Sequence, residues 1–172
     1  MAIPVTESQG TKVYFVETGV DVSTSANIET ALTNAKVVGC LQSDIDTTIT
    51  RAVQEYKCLS SDESTKSLGP ISLPNFPMNL LFDADNTGGQ AEIRDMFKNR
   101  TRRTIIIELT DGDASYSTIA TGEAYPTTIT FEIAVSGMGE VMAMDTAVMQ
   151  NSTIEMSSYP DRLYYDVSNV KA

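Results

Sequence analysis

TTITFEIAV, residues 127–135, alternates: Ile129, Phe131, Ile133 and Val135 fall on one side of an extended chain, and Thr128, Thr130, Glu132 and Ala134 on the other. Such period-two alternation marks a strand with one face against a core and the other toward water. Working outward, short runs rich in Val, Ile, Thr, Phe and Tyr recur at residues 11–16, 36–41, 45–53, 78–82, 104–109, 116–124, 152–156 and 163–167. Short strands separated by turn residues predict a mainly β chain, a sandwich or barrel-forming sheet. One short flanking α-helix is expected over residues 90–99, where Ile93, Met96 and Phe97 recur at i, i+3, i+4 behind the turn signal DNTGG.

The 172 residues predict a single domain over 1–172. Within it QEYKCLSSDESTKSLGPISL, residues 54–73, is dense in Ser, acidic residues, Gly and Pro, and predicts a long projecting loop or hairpin. Residues 143–172 follow as a C-terminal extension whose role the pattern does not assign.

The chain has no histidine, which removes the commonest general base and the commonest metal ligand together. Enzymatic chemistry is not expected, and no catalytic, metal or cofactor site is assigned. A net charge of −11 opposes nucleic-acid binding. The start MAIPVTESQG lacks a basic, apolar leader, and no apolar run reaches membrane-spanning length, so a cytosolic site of synthesis and no membrane partner are expected. In that compartment Cys40 and Cys58 are expected as free thiols.

Two short motifs resolve into turns. DADNTGG (83–89) opens like a calcium loop, but Arg94 stands where the bidentate glutamate belongs, and a cation there repels calcium. TDGD (110–113) sets Asp-Gly between two β runs, a hairpin signal. The alternation also sorts faces: Asp44, Asp46 and Thr48, then Thr104 and Glu108, then Thr130 and Glu132, make an acidic, threonine-rich set expected to face water.

Against the acidic background, Arg94, Lys98, Arg100, Arg102 and Arg103 crowd into ten positions with one carboxylate, Asp95. Few aromatics interleave them, so a nucleic-acid patch is disfavoured. Cations suit a helix C-terminus, and they suit an interface with acidic residues such as Asp62 and Glu63 of a neighbour.

The order of features, with GGQAEIRDMFKNRTRRTIIIELTDGD (88–113) and TTITFEIAVSGMGEV (127–141), resembles the major tail tube protein of long-tailed, non-contractile bacteriophages of the lambda type. The elements that carry it are Gly89 and Gln90, Phe97, Arg100 to Leu109, Asp111 and Gly112, and Val135 to Gly137, within residues 44–142. The resemblance implies hexameric rings stacked into a hollow tube of the virion tail, assembled in the host cytoplasm, through which DNA passes without specific binding. It also implies tape measure, tail tip and terminator proteins as partners at the tube ends. On that reading Asp44, Asp46, Thr48, Thr104, Glu108, Thr130 and Glu132 line the lumen, while Asp62, Glu63, Lys66, Arg94, Arg100, Arg102 and Arg103 serve subunit or ring contacts. A related ring-forming terminator, connector or secretion-tube subunit shares the pattern; a non-phage β-sandwich binding module fits it less well.

Overall fold

The computed structural model describes residues 11–39, 41–57, 64–82, 88–109, 115–142 and 148–172. Cys40, Cys58, Asp62, Glu63, the DADNT part of the calcium-like motif and the TDGD turn lie outside the described residues.

The described elements are β1 (Lys12–Glu17), α1 (Ser25–Leu32), β2 (Lys36–Val37), β3 (Thr50–Lys57), β4 (Ser64–Ser72), β5 (Asn75–Leu81), α2 (Gly89–Asn99), β6 (Arg103–Leu109), β7 (Thr127–Val141), β8 (Met149–Met156) and β9 (Asp161–Leu163). The main sheet runs β2-β1-β6-β7-β8-β5, antiparallel throughout, with β9 against β7. It curls into a half-barrel. The long strand β7 is its spine: residues 127–133 pair with β6, and residues 133–141 pair with β8, with an irregularity in that pairing between Val135 and Gly137. The C-terminal extension is thus part of the sheet.

The inner face packs Phe15, Phe76, Met78, Leu80, Ile105, Phe131, Ile133 and Ile154 against Ile93 and Met96 of α2. Phe76 and Phe131 meet edge to face with centroids 6.2 Å apart, a favourable arrangement of ring quadrupoles. α2 comes close because it starts in glycines: Gly88 has φ +69, and a Cβ on Gly89 would stand 2.9 Å from the Val38 Cα.

The other face is not open along β1, β6 and the first half of β7. Tyr14, Val16 and Ile106 on that side pack under Ile28 and Ala31 of α1 and under Tyr116, Ile119 and Tyr125. This second layer corrects two expectations. Residues 116–124 are no strand: Ser115 O accepts from Thr118 N and Ile119 N, a tight turn, and Gly122 has φ +88. α1 was not expected, although Ile28, Ala31 and Leu32 keep helical spacing behind the N-cap Thr24, whose side chain accepts from Asn27 N.

The C-terminal residues fasten this layer. Val170 bridges to Ala124, Asn169 donates to Ser25 Oγ at 2.7 Å, and Lys171 Nζ meets Glu29 Oε1 at 2.5 Å.

Candidate assembly surfaces

The residues expected to face water divide three ways. Thr104, Glu108 and Thr130 are buried within the subunit, at 5%, 0% and 4% exposure. Tyr14 Oη donates to Glu108 Oε2 at 3.1 Å, and Tyr116 N donates to Glu108 Oε1 at 3.0 Å. Burial first, and the Glu108 charge second, hold the Tyr14 phenol well above its ordinary pKa. These three side chains therefore cannot line a channel in this conformation; the cause is the second layer. Glu132 is half-buried, its strand flanked by Ser157 and Ser158. Asp44, Asp46 and Thr48 are exposed, on a non-strand strap that alternates with inward Ile45, Thr47 and Ile49. The Thr48 hydroxyl first, and then the Thr48 N–H, which donates to Asp46 Oδ1 at 2.8 Å, hold the Asp46 carboxyl below its usual range.

An open sheet face does exist, elsewhere. The β5–β8 register sets Phe76, Met78 and Leu80 opposite Ile154, Ser152 and Gln150 on the core side. The alternate residues Asn75, Asn79, Asn151, Thr153 and Glu155, joined by Ser136 of β7, fall on the reverse side. Ser136 Oγ donates to Glu155 Oε1 at 2.8 Å, tying β7 to β8 across this face. The face carries amides and hydroxyls with one carboxylate, and among them the apolar Pro77, Leu81, Ala134, Val141 and Met149.

The segment 54–73 forms most of the antiparallel hairpin β3–β4, a two-stranded sheet separate from the main one. One face pairs Val53 with Leu68 and Glu55 with Lys66. Val53, Tyr56 and Leu68 are 58%, 56% and 66% exposed, so large side chains stand in water where a lone hairpin cannot bury them.

The basic cluster also divides. Arg103 is held within the subunit by Glu92 at 2.9 Å and Asp95 at 3.2 Å. Arg94 meets Glu140 at 3.2 Å and lies 5.5 Å over the Phe82 ring. Lys98, Arg100 and Arg102 are exposed beside Phe97, which is 42% exposed, at the C-terminal end of α2. Arg100 takes the left-handed conformation, φ 55, and its N–H caps Met96 O, turning the chain from helix into β6.

A groove of about 550 Å³ lies at the opposite end of the β1–β6 pair, lined by Val13, Leu41, Ile45, Ile107, Leu109 and Ile129, with Asp44 at its edge. Two of its walls, Leu41 and Ile45, belong to the strap, which also bridges to the edge of β5 through Leu41 and Leu80.

No protein-family model matches the chain, and no curated protein does. Solved structures do. A chain from the 6-fold symmetrised cryo-EM structure of the anti-feeding prophage baseplate superposes with a TM-score of 0.63 at 12% identity, covering 95% of this chain and 98% of that one. A chain of the sheath/tube terminator of the PVC extracellular contractile injection system gives 0.62 at 10% identity, covering 95% and 99%. The SPP1 tail tube gives 0.56 at 12% identity, covering 97% and 87%. At such identity the likeness is one of architecture: the chain has the fold found in tail-tube and tube-terminator structures of phage and contractile injection systems.

Proposed function

We propose that the chain is a structural subunit of a phage tail tube, six copies closing a ring and rings stacking into a conduit for DNA. The observation that carries this reading is the pairing of two surfaces that the single subunit leaves unsatisfied. One is the detached hairpin with its exposed Val53, Tyr56 and Leu68. The other is the open polar face of β5, β8 and the second half of β7. Joining one-sided sheets edge to edge around a ring buries strand edges and leaves such a face lining the hole.

On this reading the lumen wall is Asn75, Asn79, Ser136, Asn151, Thr153 and Glu155, rather than the buried Thr104, Glu108 and Thr130. A wall with one carboxylate and no cation suits passage of a polyanion, because each lysine or arginine contact with a phosphate adds salt-dependent affinity. The subunit then works in the virion tail, with terminator and tip proteins at the tube ends.

Negative-stain electron microscopy of the purified protein tests the proposal: hollow tubes are expected. A sample that closes into single rings and never stacks would instead favour a terminator or cap role, which the likeness to the PVC terminator and to the anti-feeding prophage cap makes the second reading.

A further inference from the structure

We infer that the C-terminal end of α2 is a knob that docks into the groove at the far end of a second copy of this chain. The inference rests on the tube reading only in giving that copy a place, the next ring. The two surfaces sit at opposite ends of the β1–β6 pair: the groove at the end where Lys12 faces Glu108, and the end of α2 just before Arg103, which faces Glu17. Gly89, at the start of α2, packs on Val38, which is itself part of the groove lining; Phe97 lies near the other end of the helix, about 12 Å further along its axis at 1.5 Å per residue.

Their chemistry is complementary. The knob is Phe97, half-exposed and followed in sequence by the exposed Lys98, Arg100 and Arg102, for which no ion-pair partner is found among the described residues. The two carboxylates on the same helix, Glu92 and Asp95, are engaged by Arg103. The groove combines apolar walls with the hydroxyls of Thr11, Ser43 and Thr47; Asp44 is part of its lining, and Asp46, two residues further along the strap, is exposed as well. An aromatic ring seated in the groove would bring the three cations to the two carboxylates, with the apolar contact supplying affinity and the charges supplying register.

Because knob and groove are different patches on one molecule, the contact is heterologous. Such a contact does not close on itself as a two-fold dimer does; it repeats, copy on copy. It also answers why so acidic a chain concentrates cations at one point: they are the counter-charge for its own opposite end.

Two variants of the full chain test it. Phe97→Glu removes the knob and keeps the groove; the double change Asp44→Arg/Asp46→Arg inverts the rim and keeps the knob. All three positions are exposed, and melting temperatures near that of the parent confirm intact folding. Each variant alone is expected to lose long assemblies, leaving single rings by electron microscopy and sedimentation. Mixed in equal amounts, the variants are expected to pair once, knob to groove, giving two-ring particles and nothing longer, and 0.5 M salt should weaken the pairing.

Tubes of normal length from Phe97→Glu would overturn the docking and leave the tube reading intact. So would loss of stacking from the rim variant with no pairing in the mixture. If neither protein makes rings but the mixture yields a 1:1 dimer of chains, the docking stands and the tube reading falls.

Discussion

Tyr14 donates its hydroxyl to Glu108 across 3.1 Å, from a neighbouring strand, in a layer where the carboxylate has no exposed surface. The pair anchors the second layer, because the same carboxylate receives the Tyr116 N–H. A lysine at 108 would set a cation among donors with no acceptor to receive it. Glu108→Lys is therefore expected to lower stability by about 3 kcal/mol or more, because it buries a cation with no counter-charge, and Glu108→Gln by about 1–3 kcal/mol. Glu132→Lys, half-buried on the next strand, should shift stability by about 1 kcal/mol or less. Urea denaturation measures all three; equal midpoints for the two lysine variants would contradict the burial of Glu108.

The fastening of α1 should give the protein two pH limbs. Lys171 first, and then the Tyr125 hydroxyl, hold the Glu29 carboxyl below its ordinary 4.5. A depressed pKa contributes stability above 4.5 that is lost as pH falls through the folded value. Burial, then the Glu29 partner, pushes Tyr125 from 10.0 up to about 12. That raised pKa contributes stability in full below 10 and loses it as pH rises through about 12. Glu29→Gln should flatten the acid limb of a melting-temperature profile, and Tyr125→Phe should remove the alkaline contribution. An acid limb of unchanged steepness in Glu29→Gln would refute the first assignment.

Gly89 should be the least replaceable of the described glycines. Its Cβ would meet the Val38 Cα at 2.9 Å, backbone that cannot swing aside, whereas a Cβ at Gly39 meets nothing within 4 Å. Gly89→Ala is expected to destabilise by about 1–3 kcal/mol through overpacking, and Gly39→Ala to stay within about 0.5 kcal/mol of the parent. Calorimetry of both decides whether α2 is seated as closely as the structure has it.

On the hairpin, stability and assembly should separate. Val53 and Leu68 face each other across β3–β4 and touch no core. The pair Val53→Ser/Leu68→Ser should leave the melting temperature within a few degrees while polymer yield falls at least tenfold by sedimentation. Normal polymer yield would remove the hairpin from the assembly surface.

The lumen assignment has a direct electrostatic consequence. Asn151→Lys/Thr153→Lys sets two cations on the polar face and should create DNA binding that weakens steeply between 50 and 200 mM salt. The same lysines at Asp44 and Asp46, placed at the groove rim, should leave passage through any surviving tubes unaffected. If only the Asp44/Asp46 change retarded DNA, the strap and not the β5–β8 face would line the channel.

The strands were legible because period-two alternation is set by backbone geometry alone: residues 104–109 and 127–135 fall within observed β6 and β7. Which face met water was not legible, because a threonine or glutamate on the reverse side looks the same under solvent or under a second layer. One signal was present. Ile106 interrupts the polar set in TIIIEL, and Tyr14 and Val16 share its face; burying an isoleucine gains roughly 1.5–3 kcal/mol, so that side had to be covered. Of the basic cluster, sequence could place cations at a helix end but not separate Arg103, spent on Glu92 and Asp95, from Arg100 and Arg102. That division depends on i, i+3 and cross-turn geometry fixed only by the left-handed turn at Arg100.

The order in which the chain leaves the ribosome follows a different logic from its order in space. β5 has β8 as its strand partner, and α1, near the beginning, is held by Asn169 and Lys171. Both closures join residues far apart in sequence, so β5 lacks its strand partner until β8 has been made. If the chain assembles as proposed, that delay is a safeguard. A polypeptide still without β8 lacks the finished face of β5 and β8 that another copy would recognise.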